Sequence, residues 1–326
     1  MAHTVDLTQK ERRRKVQQRF LDSVLFLLAV SMVVFFSIRS PFFLDLRNFM
    51  NILQSVSIVG IIATGMTLVI ITKGIDLSVS STIAITGCLV ALSLTQWGYS
   101  WWVGILIALA CGTAVGFVNG ALITKFRVIP FIATLGMLNV VRGLAFISTN
   151  GQAIFTPSPQ INWIGTHRVF GHLPVPGIIM LACFVIIWAL CRFTVFGRYV
   201  YAIGGNASAS RLAGINVNRV KLILYTLTGL LSAISGIVMV GLASTAMPSA
   251  GDGYNLDVIT AVYLGGNSPE GGEGSVWRTL LGVIIIGLLN NGMALLSVPP
   301  FYQTFIKGCL LIAAVTFDVI RRPKVA

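Results

Sequence analysis

The chain has 326 residues, 56% of them hydrophobic and 10% charged, with a formal net charge of +13. Soluble domains carry about 25% charged residues, so this composition excludes a surface that faces water throughout. The basic excess does not form a nucleic-acid groove, because Lys and Arg punctuate apolar segments and do not gather on one face.

In chain order, a basic tail over 1–19 (Lys10, Arg12, Arg13, Arg14, Lys15, Arg19) precedes an apolar stretch over 20–38. That stretch is long for a signal-peptide core. It ends in Ser37-Ile38-Arg39-Ser40-Pro41, which lacks a small-x-small cleavage pattern, so it reads as an uncleaved first helix. Further spans are predicted at 51–72, 77–97, 101–123, 130–148, 177–191, 222–243, 255–266, 279–297 and 302–319. Most approach or reach the roughly 17–25 residues that cross a bilayer. The expected fold is an all-α polytopic membrane protein of about ten transmembrane helices. Its transmembrane domain covers 20–320, and a short tail covers 321–326. Segment 255–266 is too short to cross alone and reads as a half-helix or an underestimated span. Segment 149–176 carries Pro157, Pro159, Pro174 and Pro176 and reads as a loop with little regular helix. Ten spans admit a 5+5 inverted repeat, although no internal sequence match stands out.

Charge orients these spans. With the N-terminus placed in the cytoplasm, the inner side receives the tail, Lys73, Lys125, Arg127, Arg192, Arg198, Arg211, Arg219, Lys221, Arg278, Arg321, Arg322 and Lys324. The outer side receives Arg39, Arg47 and Arg168, while Arg142 and Lys307 fall within spans. This is a strong positive-inside bias, and an even number of spans puts both termini in the cytoplasm. Lys307, near the outer end of the last span, is expected to snorkel to the interface. Asp76, Asp257 and Asp318 are read near span ends.

Helices in lipid pack closely where residues are small. Gly112, Gly116 and Gly120 share one face of the fourth span, and the seventh adds Gly229, Ser232, Ala233 and Gly236, so these helices are expected to sit inside a tight bundle. The five cysteines lie in or beside apolar segments without a CxxC pair, so they read as packing residues and not as a metal site. His167 and His172 read as loop-surface residues. No G-x-x-x-x-G-K-[ST] motif occurs, so ATP hydrolysis is not expected of this chain.

Segment 206–214 reads as a short helix with Asn206 as N-cap and Gly214 as its left-handed stop. Its small side chains suit either a plain connector or a helix that seats in a groove of another protein. Polar residues within or near the spans (Asn51, Gln54, Asn119, Asn139, Arg142, Asn290, Asn291) are candidates either to line a path for a polar solute or to hold helices together.

Several segments occur together in an ordered series: Gly65-Met66-Thr67-Leu68-Val69-Ile70 leading into Gly74-Ile75-Asp76-Leu77-Ser78-Val79; Pro130-Phe131-Ile132-Ala133-Thr134-Leu135 with Arg142-Gly143; Gly197-Arg198-Tyr199 through Asn206 to Ala213-Gly214-Ile215-Asn216; Leu256-Asp257 with Leu264-Gly265-Gly266; and Asn290-Asn291-Gly292. In order and spacing the chain resembles, from about Asn48 to Asp318, the ribose-type permeases of bacterial ABC importers. That branch also includes arabinose, xylose, allose and galactofuranose systems. The resemblance implies a multi-pass inner-membrane permease that is not itself an enzyme and that translocates a monosaccharide. It implies a second permease subunit (homodimer or paralogous heterodimer), a periplasmic sugar-binding protein, and an ABC ATPase that binds ATP and Mg, so that this chain needs no cofactor or metal of its own. Surrounding lipids complete the set, with no nucleic acid. It also implies that Asn206, Ala207, Ala209, Arg211, Leu212, Ala213 and Gly214 form the coupling helix that docks on the ATPase. The alternatives are the same scaffold carrying a nucleoside, inositol or furanosyl signal molecule, and an ion-coupled secondary transporter, which would want a carboxylate at mid-depth.

Overall fold

A computed structural model describes the backbone of residues 25–321 and the side chains as far as Thr316, Ala314 excepted. The tail 1–19, the start of the first expected span, the side chain of Asp318 and residues 322–326 lie outside the described residues.

The helices in chain order are α1 (Leu25–Arg39), α2 (Leu46–Ile71), α3 (Val79–Thr95), α4 (Trp101–Thr124), α5 (Pro130–Ser148), α6 (Pro159–Thr166), α7 (Val175–Phe193), α8 (Val195–Gly205), α9 (Ala207–Leu212), α10 (Val217–Ala243), α11 (Tyr254–Leu264), α12 (Val276–Leu295) and α13 (Pro300–Arg321). Four two-residue strands make two small antiparallel pairs: β1 (Ile154–Phe155) with β4 (Thr245–Ala246), and β2 (Arg168–Val169) with β3 (Leu173–Pro174). Among the described residues α2, α4, α5, α7, α10 and α12 are each long and apolar enough to cross a membrane, while α1 and α3 are shorter apolar helices.

The bundle is built around α2. Ile61, Ile62, Met66, Leu68, Ile70 and Ile71 are fully buried there, with α7, α10, α11 and α12 packed around them. In lipid, tails compete equally well for apolar side chains, so contact must come from close fit and polar pairing. The fit is close along α4 and α10, the most extensive helix pair. A Cβ added to Gly112 would lie 2.6 Å from the Gly229 carbonyl oxygen, and one added to Gly120 would lie 3.0 Å from the Leu222 backbone. Gly112 therefore faces Gly229 and Ala233, and Gly229 packs on Gly116, while Gly236 faces α3.

Two expectations need correction. The 149–176 loop contains a regular helix, α6. Its four prolines did not prevent this, because Pro159 occupies the first turn, where a missing N–H costs nothing, and the Ser158 hydroxyl accepts from the Ile161 N–H. The cysteines are not uniformly buried: Cys88 and Cys183 are, Cys111 and Cys191 are half-buried, and Cys309 is exposed on α13.

The ends of the bundle differ. One end gathers 72–78, 125–129, 193–216 and 265–275. There the Gly272 N–H donates to the Ile71 carbonyl and the Tyr201 hydroxyl to the Gly274 carbonyl. The other end gathers 40–45, α6, both strand pairs and 296–299. There the Thr156 N–H donates to the Ser244 carbonyl, and the Gln54 amide donates to Gly165.

Candidate functional site

Two helices are interrupted inside the bundle, one from each end. After α2 the chain turns at Lys73 (φ 61°) and runs without helix to Ser78 before α3 begins. After α10 it turns at Ser244 (φ 52°) and runs without helix to Gly253 before the 11-residue α11. The expected short span 255–266 is thus a half-helix preceded by ten non-helical residues. The second break abuts α3, the helix that follows the first: Gly251 (φ 73°) lies so close to it that a Cβ there would come 2.9 Å from the Ser80 carbonyl oxygen. Only glycine suits that combination of left-handed backbone and close approach.

The first break is held by neutral hydrogen bonds around one carboxylate. Asp76 Oδ1 accepts from the Ser78 N–H (3.0 Å), the Ser78 hydroxyl (2.7 Å) and Asn119 Nδ2 (3.4 Å), and Asn119 also donates to Ser78 Oγ at 2.8 Å. The Ile75 carbonyl accepts from Tyr225 Oη (3.3 Å) and Thr134 Oγ1 (3.4 Å). Asp76 and Asn119 are buried, so α4, α5 and α10 all grip this break away from solvent.

The second break is held by cations. Arg142 of α5 donates through Nη1 to the carbonyls of Pro248 (2.6 Å) and Ala250 (2.9 Å), and Nη2 pairs with Asp252 at 2.5 Å. Lys307 of α13 pairs with Asp257, in the first turn of α11, at 2.9 Å. Lys307 therefore does not snorkel, and Asp257, near a helix end as expected, is buried there. A buried anion beside the positive end of a helix stabilises that end, and its cation keeps both charges paired. Asp252 and the Asp257–Lys307 pairing escaped the reading from sequence. The available signal was charge balance, since a cation inside one span calls for an anion inside another.

The remaining candidate path residues do not converge on one pocket. Asn51 and Gln54 both accept from Arg168 Nη2 (2.7 and 3.4 Å). Asn291 exchanges two hydrogen bonds with Asn48 (3.0 and 2.8 Å), tying α12 to α2. Asn139 is exposed and donates to Leu135 of its own helix. The Asn290 carbonyl oxygen is buried without a hydrogen-bond partner among the described residues.

At the opposite end from α6, α9 stands clear of the bundle. Asn206 Oδ1 accepts from the Ala209 N–H at 2.9 Å, and Gly214 (φ 83°) ends the turn. Ala209, Arg211, Ala213 and Gly214 are exposed, and Leu212 is 92% exposed. Ala207 is half-buried, and Ser210 is buried and anchors the helix to Asn206. Five exposed or half-buried positions with small or flexible side chains around one protruding leucine make a surface suited to seating, not to chemistry. Among the described residues no cluster of His, Cys, Asp and Glu could hold a metal.

A family model described as branched-chain amino acid transport system / permease component matches residues 48–315. Among curated proteins, the ribose import permease protein of Escherichia coli K12 is 44% identical over 93% of this chain and 94% of its own. The ribose import permease protein of Bacillus subtilis 168 is 44% identical over 88% of this chain and 89% of its own. The L-arabinose ABC transporter permease protein of Azospirillum brasilense is 40% identical over 88% and 84%. No solved structure matches. The chain belongs to this permease family and, within it, to the ribose-type sugar permeases of ABC importers, which makes it a multi-pass membrane component of a monosaccharide importer and not an enzyme.

Proposed function

We propose that this permease carries a pentose, with ribose the first candidate, across the bacterial inner membrane by alternating access. The supporting observation is 44% identity to ribose import permeases over nearly the whole chain. In this reading a periplasmic binding protein delivers the sugar at the α6 end, and a partner ATPase, which binds ATP and Mg, docks at the α9 end. A second permease subunit covers the apolar face of α5, where Ile132, Leu135, Val140, Leu144 and Ile147 are exposed. The path candidates with polar groups still free among the described residues are Asn119, through its Oδ1, Asn139 and Asn290. Uptake of labelled ribose and arabinose into proteoliposomes holding the full complex tests the cargo. Ribose uptake that excess unlabelled arabinose abolishes, with the reverse competition absent, would overturn the assignment.

The ten-span count is α1 to α5, α7 and α10 to α13, with α11 as a half-helix completed by its break. Short sequence echoes support a 5+5 inverted repeat. Gly74-Ile75-Asp76-Leu77-Ser78-Val79 corresponds to Gly253-Tyr254-Asn255-Leu256-Asp257-Val258. Asn119-Gly120 with Pro130-Phe131 and Thr134 corresponds to Asn291-Gly292 with Pro300-Phe301 and Thr304. Both sets fall at the breaks and at the helix pair that follows each.

Orientation follows from charge, with the α9 end and both termini in the cytoplasm. In a background with the five native cysteines replaced, Ser158→Cys is expected to react with an impermeant thiol reagent in intact cells. Ser208→Cys should react only after the membrane is opened. Equal labelling of both in intact cells contradicts the assignment.

A further inference from the structure

The second break packs against α3, the helix that follows the first, and the two breaks are held in different ways; the difference identifies which one moves. The first break is sealed. Its carboxylate is 1% exposed, its partners Ser78, Asn119, Thr134 and Tyr225 are all buried, and three helices contribute to the network. Moving it would strand several buried polar groups at once.

The second break has no such network. Beyond the β1–β4 pairing at Thr245 and Ala246 and the close approach of Gly251 to Ser80, its side-chain grip comes from two cations on helices on different sides. Arg142 reaches it from α5, which packs on α3 and α4, and Lys307 reaches it from α13, which packs chiefly on α11. Each pair has one more open partner: the Asp252 side chain is 68% exposed against 14% for Arg142, and that of Lys307 26% against 7% for Asp257. Beneath the segment, Met247 and Ala250 roof an apolar cavity of about 70 Å³ between α3 and α10. A cavity beside it and two ion pairs, each with one partner more open to solvent, set this break apart from the first, whose partners are all buried.

We propose, resting on the transport reading above, that residues 247–257 are the moving gate on the outer half of the permease, and that Arg142 and Lys307 are its positioning residues, coupling it to α5 and α13. The first break, 72–78, is fixed and anchors α3, the helix against which the gate closes. Displacement of α5 relative to α13 then moves the half-helix, because each helix holds one end of segment 248–257.

The test uses the full complex in proteoliposomes, in the background without native cysteines. Ser249→Cys, at an exposed position in the gate, should change its rate of modification by an impermeant thiol reagent about tenfold between the ATP-free and vanadate-trapped states. Ile75→Cys, in the fixed break, should keep one rate. Lys307→Gln and Arg142→Gln should each make the Ser249→Cys rate the same in both states while the complex stays assembled. The exchange Asp257→Lys with Lys307→Asp should recover part of the difference. Should Lys307→Gln fail to assemble, Asp257→Asn, close to isosteric, serves in its place. One rate for Ser249→Cys in both states of a complex that transports sugar would overturn the gate and leave the permease reading standing. A state-dependent rate at Ile75→Cys alone would also overturn it. A parent complex that takes up no monosaccharide would sink the transport reading itself.

Discussion

Gly116→Val is expected to remove the folded permease from the membrane. A Cβ at Gly116 would overlap the Tyr225 carbonyl oxygen and sit 2.9 Å from the Thr226 Cα. Both obstacles are backbone atoms of α10, so no rotamer change relieves them. The mirror contact is equally tight, since a Cβ at Gly229 would overlap the Gly112 carbonyl. Overpacking that side chains can absorb costs about 1–3 kcal/mol. Here α4 and α10 must separate along the most extensive helix pair of the bundle, and no hydrophobic force in lipid restores the lost fit. Gly136→Ala in α5 is the control. A Cβ there meets nothing within 4 Å, and replacing a helical glycine by alanine gains up to about 1 kcal/mol. Detergent-extracted yield and the thermal midpoint on size-exclusion chromatography give the readout. A Gly116→Val protein with the parent's midpoint would show that the stripes do not set the helix spacing.

Much of this was legible in the residues, for reasons that differ by feature. Long apolar runs state their own length, so α2, α4, α5, α7, α10 and α12 were expected within a few residues. The helix after Asn206 was legible because a cap and a left-handed stop are local devices. What escaped depends on contacts between distant segments. Asn291 is a polar residue in an apolar helix, and nothing nearby in sequence says that its partner is Asn48. The Lys307–Asp257 pair joins residues fifty positions apart. The echo between 74–79 and 253–258 was within reach but faint, because the shared residues Gly, Leu and Val are common ones. Its weight comes from where the two copies lie, at breaks that approach from opposite ends. Helix α8 lies between the expected span 177–191 and the short helix after Asn206, in a stretch rich in glycine. Gly197 and Gly204 are there for space: a Cβ on Gly204 would overlap the Ile71 carbonyl oxygen.

Ala209→Trp is expected to leave a folded, membrane-inserted permease that fails to transport. Ala209 is exposed on α9 and makes only its own helix bonds, so the bulky ring has room in the isolated subunit. Any partner seated over the small side chains would meet the ring directly. Coupling free energies between sites run to about 1–3 kcal/mol, or roughly 5–150-fold, and a blocked seat removes the coupling as a whole, so uptake should fall by about a hundredfold. Gly214→Val reaches the same end by another route. At φ 83° a β-branched residue costs about 1–2 kcal/mol, which untwists the stop and tilts Leu212, the protruding apolar contact at 92% exposure. The two variants differ in a way that separates contact from shape. Ala209→Trp should lose the ATPase in a pull-down, whereas Gly214→Val should retain some of it while binding-protein-stimulated hydrolysis falls. Ser208→Cys should still be labelled from the inner side in both backgrounds, which shows that insertion is intact. Normal uptake and normal stimulated hydrolysis in both variants would place the docking surface elsewhere at this end, with the loop 265–274 the next surface to test.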